Sequence, residues 1–173
     1  MLLSEKQAKT ICDRVLGYAT MGDALVSVTS EKHSHLRFAV NAFTTNGQRE
    51  DTSVRVTVWI DKKRGTASTN EIGDLALKAT VEEAERLARL SPEDREYLPT
   101  LGPQEYKPVT GYAETTANIS PKERAQTVND LIVACDKAKV IGAGFHQARV
   151  SAVALPLGTA ILHTSVPVLP ASG

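Results

Sequence analysis

Between residues 52 and 70 the chain reads T-S-V-R-V-T-V-W-I-D-K-K-R-G-T-A-S-T-N, and no other stretch limits the fold so tightly. Val54, Val56, Val58 and Ile60 alternate with Arg55, Thr57 and Trp59. Successive side chains of an extended backbone point to opposite faces, so this run is a strand with one apolar side. Asp61-Lys62-Lys63-Arg64-Gly65 reads as a solvated turn, with Gly65 free to take a positive φ, and a shorter alternating run then stops at Thr69-Asn70. The two runs make a hairpin. A hairpin with one apolar face is marginal alone and needs a further layer to cover it.

The flanking segments supply that layer. Ser4 with Gln7 three residues on forms a capping box, so a helix starts at Glu5. Its apolar stripe is Ala8, Ile11, Cys12, Val15 and Leu16, and Gly17 is its stop. Ala24, Val26 and Val28 alternate with Leu25, Ser27 and Thr29 as a first strand. Glu31-Lys32-His33-Ser34 then reads as a turn, and Leu36, Phe38 and Val40 as a second strand. Asn46-Gly47 is a hairpin signal, because both central positions of the matching turn need positive φ. From 74 to 90, Leu77, Val81, Ala84, Leu87 and Ala88 form a buried helical stripe. Glu82, Glu83 and Glu85 face Arg86 and Arg89 on the wet side, acids before bases as the helix dipole prefers.

After Ser91-Pro92 the periodicity fails. Pro92, Pro99, Pro103 and Pro108, with Gly102 and Gly111, mark a linker or surface segment, partly pinned by Tyr97, Leu98, Leu101, Tyr106 and Val109. Ser120-Pro121-Lys122-Glu123 combines an N-cap, a proline at the first helical position and a capping box. The helix it opens runs through Ala125, Val128, Leu131, Ile132 and Cys135 to about Ala138. Phe145 to Leu155 reads as a strand, Pro156-Leu157-Gly158 as a turn, and Thr159 to Val166 as the return. The expectation is an α+β fold of antiparallel hairpins packed by helices, in two related helix-plus-hairpin halves. Residues 1–98 are the first unit, 99–111 the linker, and 112–173 a second, incomplete unit. Either the chain is a fragment of something longer or a partner completes its edge.

Composition removes several function classes. Twenty basic and twenty acidic side chains give a formal net charge of zero, which argues against nucleic acid or an anionic membrane as partner. The two cysteines, Cys12 and Cys135, sit among apolar neighbours in expected helices and read as core thiols in a reducing, cytoplasmic compartment. No apolar run approaches the roughly 18 residues of a membrane span.

Candidate chemistry is sparse. His33 and His35 fall on one side of an extended chain, as in some strand-borne metal pairs, but no third ligand is evident and a solvent-exposed pair is the simpler reading. His146 and His163 are single residues in expected strands, read as hydrogen-bonded side chains and not as bases. Lys62, Lys63 and Arg64 near Trp59 could enter a nucleic-acid groove, or simply keep a turn soluble and discourage edge-to-edge pairing; the neutral charge favours the turn. Gly142-Ala143-Gly144 precedes a strand instead of following one, the wrong context for a phosphate loop. H-E-x-x-H, H-E-x-x-x-H, G-x-S-x-G, G-x-x-x-x-G-K-[ST] and paired C-x-x-C motifs are absent. No catalytic, cofactor-binding or metal-binding residue is assigned.

One ordered set of segments carries a resemblance. It comprises the Asn46-Gly47 region, the run from Val54 to Asn70, the amphipathic helix with Ala84 and Ala88, and Pro103-Gln104-Glu105-Tyr106. Ser120-Pro121-Lys122-Glu123-Arg124-Ala125 and Ala143-Gly144-Phe145 continue it. The set resembles the N-terminal domain of the TldD/PmbA family, often labelled modulators of DNA gyrase. The resemblance implies a much longer protein, in which a TldD-type subunit binds zinc through a central H-E-x-x-x-H segment and hydrolyses peptides. A PmbA-type partner without that motif pairs with it to enclose a chamber. The family is implicated in maturing modified peptides and degrading unfolded ones. None of the zinc residues has a counterpart here, and the segment after Leu155 departs from the usual continuation, leaving its strand register open.

The expected role is therefore a non-catalytic N-terminal module of a TldD/PmbA-like metallopeptidase subunit, inactive alone and without a cofactor of its own. Its partners would be a like or unlike subunit of the family, in a homo- or heterodimer, and an extended or unfolded peptide. The alternative is a stand-alone protein-binding module or gyrase modulator without enzymatic activity.

Overall fold

Ser4 accepts the Gln7 N–H through its hydroxyl while the Gln7 side chain takes the Ser4 N–H at 2.9 Å, and helix α1 (Glu5–Tyr18) begins there. Its buried residues, Ala8, Ile11, Cys12 and Val15, are the stripe that the spacing predicts. The computed structural model describes residues 2–99, 111–157 and 160–167, the last of these by its backbone. Strands β1 (Asp23–Ala39), β2 (Ala42–Ile60) and β3 (Lys63–Thr69) lead to helix α2 (Asp74–Leu90). A single turn, α3 (Glu114–Ala117), precedes helix α4 (Pro121–Ala138), strand β4 (Ala143–Leu157) and strand β5 (Ala160–Pro167). The strands form one antiparallel sheet in the order β3-β2-β1-β4-β5.

The fold is thus α+β, and each half does run helix then hairpin. Strand β4 of the second half pairs with β1 of the first, so both hairpins share the sheet. The expected linker lies almost wholly outside the described residues.

Of the three turns expected in the first half, those at 31–34 and Asn46-Gly47 give way to a single one between them, while the third, opening at Asp61-Lys62, lies where it was expected. β1 passes through Glu31, Lys32, His33 and Ser34 without a break and reverses at Val40-Asn41, with φ of 52° and 53°. β2 passes through Asn46-Gly47 and reverses at Asp61-Lys62, with φ of 49° and 63°. Paired positive φ values make two-residue turns whose twist suits the strands. Asn-Gly is the stronger local signal, yet register overrides it. An unbroken β1 keeps Val26, Val28, Leu36 and Phe38 on one face, whereas a one-residue slip would turn them to water.

All three long helices cover that one face. α1 and α2 lie over Val26, Val28, Val54, Val56, Val58 and Ala154, with Ile11, Val15, Leu77 and Val81 interleaved. Each of these valines is fully buried or nearly so, which contributes about 1.5–3 kcal/mol apiece. α4 covers a smaller cluster of Leu36, Phe38, Val128 and Ile132. Glu85 is a correction. Expected on the wet side of α2, it is 6% exposed, accepts the Thr20 N–H at 3.2 Å and lies 3.8 Å from Arg89. Gly65 is another: it sits in β3 and not in the turn, where a Cβ would run into the α2 backbone at Ala84 and Ala88.

Candidate functional site

None of the three long helices packs on the opposite face of the sheet, and register alone lines up its side chains. Arg49, His33 and Arg149 stand side by side on β2, β1 and β4, with Asp51, Glu31 and Ser151 in the next row. Gly47, His35 and Gln147 form the row beyond. Glu31, its side chain only 12% exposed, takes Arg49 at 3.4 Å and Arg149 from the other side. His33 Nε2 lies 3.2 Å from Gln147 Oε1, and the His33 and His35 rings stack at 5.9 Å. The two histidines are therefore on one side of the strand, as the spacing predicts, within a polar network in mid-strand and not beside a turn.

A second feature is apolar. Val40, Phe43, Val140, Ile141 and Phe145 are all exposed, Ile141 by 79% and Phe145 by 64%, and all lie near the end of the sheet where β1 meets β2 and α4 meets β4. Asn41 ties these connections together. Its side-chain amide donates to Asp136 Oδ1 at 2.7 Å and to the Val140 carbonyl at 2.9 Å, and its Oδ1 accepts the Gly142 N–H at 2.6 Å. The exposed side chains are consequently carried on a braced end, and no sequence period announces them.

The remaining candidates separate. Lys62 is in the turn, where its carbonyl accepts the Asp94 N–H at 2.8 Å, while Lys63 and Arg64 belong to β3 and the Lys63 backbone pairs antiparallel with that of Glu93. Strand β5 contains His163, whose partner in the ladder is Ala154. Cys12 is buried, and burial followed by the nearby Asp13 carboxylate pushes its thiol up to about 11, so it stays protonated and inert. Cys135 is only half-buried and would meet any Cβ placed at Gly142. Among the described residues no helix is long and apolar enough to cross a membrane.

His146 lies on the helix-covered face opposite Leu36, with a buried Nδ1 that has no hydrogen-bond partner. Burial, and secondarily the buried Arg124 guanidinium, lower its pKa. The unfolded chain takes up a proton near the ordinary histidine value of about 6.5, whereas the folded chain resists it. The unfolded state then binds more protons, so this contribution to stability is present at higher pH and lost as pH falls through that range. Urea midpoints at about pH 7.5 and 5.5 should show a smaller acid loss in His146→Gln than in the wild type, and equal losses would refute the assignment.

The zinc that the resemblance attaches to full-length relatives finds no fit here. Among the described residues no three His, Cys, Asp or Glu side chains gather as a metal site requires, and His33 sits between two arginines in the register. No step through a metal is derived for this chain.

Residues 24–88 match the family model described as PmbA/TldA metallopeptidase domain 1. No curated protein matches the chain. TldE from Thermococcus kodakarensis is similar in structure, with TM-score 0.79 and 14% identity over 90% of this chain and 36% of that one. A protein of Thermotoga maritima named as a modulator of a DNA gyrase gives TM-score 0.71 and 19% identity, over 91% of this chain and 37% of that one. One of Bacteroides thetaiotaomicron, named likewise, gives 0.74 and 13%, over 95% and 39%. The chain thus spans between 36% and 39% of the length of these structures. At such identities the structures speak for the fold, and the family model supplies the sequence relation: residues 24–88 carry the first domain of the PmbA/TldA metallopeptidase family.

Proposed function

We propose that this chain is a non-catalytic N-terminal module of a cytoplasmic TldD/PmbA-like metallopeptidase subunit. It contributes to dimer assembly with a like or unlike subunit and binds extended peptide for proteolysis or peptide maturation. In this reading zinc belongs to the catalytic part of full-length relatives and none belongs to this chain. The observation that carries the assembly role is the braced apolar end, where Val40, Phe43, Val140, Ile141 and Phe145 stay exposed. Clustered exposed apolar side chains of this kind mark contact surfaces, and aromatic residues dominate the centres of such interfaces.

The test is co-elution. Mixed with a TldD/PmbA-type subunit, the wild-type chain should leave a size-exclusion column as a complex, with its mass read by light scattering. The double variant Ile141→Asp, Phe145→Asp should fold with an unchanged melting temperature, since both side chains already face solvent, and should elute alone. Undiminished complex formation by that variant would overturn the apolar end as the assembly surface.

A further inference from the structure

We propose that the outer edge of β2 over residues 42–49 is a strand-addition site for an extended peptide, selective for one that places a carboxylate side chain beside Gly47. This rests on the peptide-binding half of the function proposed above and gives it a location and a ligand class.

The edge comes from a mismatch in strand length. β2 begins at Ala42, but β3 pairs with it only from Val54 to Ile60. Among the described residues no strand lies on the outer side of β2 over 42–49. The two-residue turn at Asp61-Lys62 makes Ile60 and Lys63 its closing hydrogen-bonded pair, and alternation along the strand then aims the main chain of even-numbered β2 residues toward the β3 side back to Asn46, beyond which a register shift opposite Arg37 and Phe38 reverses the order. Asn46 and Gln48 accordingly present their N–H and C=O groups to the open side. The Thr52 N–H, on the same side, is taken by Asp51 Oδ1 at 3.0 Å, which closes the edge beyond this stretch. A strand added there would gain main-chain hydrogen bonds whatever its sequence.

Selection comes from the side chains on the uncovered face. Gly47 carries no side chain, so His35 opposite it is open toward the edge, where His33, His35, Gly47, Gln48 and Arg49 line a cleft of about 450 Å³. Arg37, Arg49 and Arg149 face this region against Glu31 and Asp51, so positive charge is in excess before any imidazole takes a proton. That balance repels a metal cation from the histidine pair and attracts an anion. Glu31 is shared by Arg49 and Arg149, and the Arg49 side chain, 67% exposed, keeps donors turned to solvent. A guanidinium with an adjacent imidazole suits a single carboxylate, through charge-assisted hydrogen bonds. A polyanion fits less well, because Glu31 and Asp51 lie in the row next to Arg49 and the net charge of the chain is zero.

The probes are two blocked heptapeptides, acetyl-Thr-Val-Thr-Asp-Thr-Val-Thr-amide and its counterpart with asparagine at the centre, titrated calorimetrically into the 173-residue chain. The aspartate peptide should bind about tenfold or more tightly, the scale of one charge-assisted hydrogen bond. It should also slow hydrogen exchange at the Asn46 and Gln48 amides. Arg49→Gln should erase the preference. Gly47→Val is a second variant that leaves the Arg49–Glu31 pair in place: its Cβ would lie 2.6 Å from His35 Cε1, so the ring must turn into the cleft, and it should weaken the aspartate peptide alone. Equal affinity for the two peptides, no binding, tighter binding of oligouridylate, or protection elsewhere than β2 would each overturn the proposal. Co-elution with a family subunit is read separately, so the assembly role can stand when this site falls.

Discussion

Gly65→Val should destabilise the fold by about 3 kcal/mol, the upper part of the range for overpacking a tightly built contact. On strand propensity alone the change would help, because valine favours β structure and Gly65 lies in β3 away from the positive-φ turn. The contact decides otherwise. A Cβ at Gly65 meets the Ala84 carbonyl oxygen and the Ala88 nitrogen, both backbone atoms of α2 that cannot swing aside. Ala84 and Ala88 are themselves fully buried, so three small residues let helix and strand backbones approach. Any larger side chain must lift α2 from β3 and loosen Leu77 and Val81 above the valine cluster. Urea unfolding would show the loss as a lower midpoint with an unchanged slope. Gly73→Ser is the matched control, since nothing lies within 4 Å of a Cβ there and the position is the N-cap of α2; it should be neutral or stabilising. Wild-type stability in Gly65→Val would show that the close approach carries no weight.

Asn41→Ala should cost about 3 kcal/mol through loss of three side-chain hydrogen bonds, one of them to the Asp136 carboxylate. Asn41 also holds φ at 53°, a conformation that asparagine tolerates and alanine resists. Asn41→Gly separates the two effects, since it keeps the backbone freedom and loses the bonds. It should recover part of the loss and no more. Hydrogen exchange gives a local reading, because the Gly142 amide, bonded at 2.6 Å in the wild type, should lose protection in both variants. A Gly142 amide that stays protected would show that the two connections hold together without Asn41.

Much of the fold was legible because helices announce themselves locally. The capping boxes at Ser4 and Ser120 and the stripe through Leu77, Val81 and Ala84 place α1, α4 and α2 within a few residues. Turns were less legible, since a two-residue turn depends on where long strands stay in register. Val40-Asn41 has weaker turn chemistry than Asn46-Gly47, yet only the former lets β1 keep its apolar residues under the helices. Glu85 was misplaced for a related reason, because its partner is the Thr20 backbone, far away in sequence. Of the uncovered face only the His33 and His35 pair could be read before the register was known. Arg49, His33 and Arg149 come from three strands, and nothing in their spacing along the chain brings them together.

The length of β1 bears on how the chain comes off the ribosome. One edge of β1 meets β2 directly after a two-residue turn, but the other waits for β4, pairing Ala39 with Ala143 and Val28 with Ala154. At translation speeds of roughly 5–20 residues per second, a strand that must await partners over a hundred positions downstream stands uncovered for about 5–20 s. A bare strand edge invites pairing with neighbouring nascent chains, and charge in the strand is the usual protection. Glu31 and Lys32 supply it at mid-strand. The polar run that looked like a turn is then a gatekeeper, keeping the longest-waiting edge of the sheet free for its own late partner.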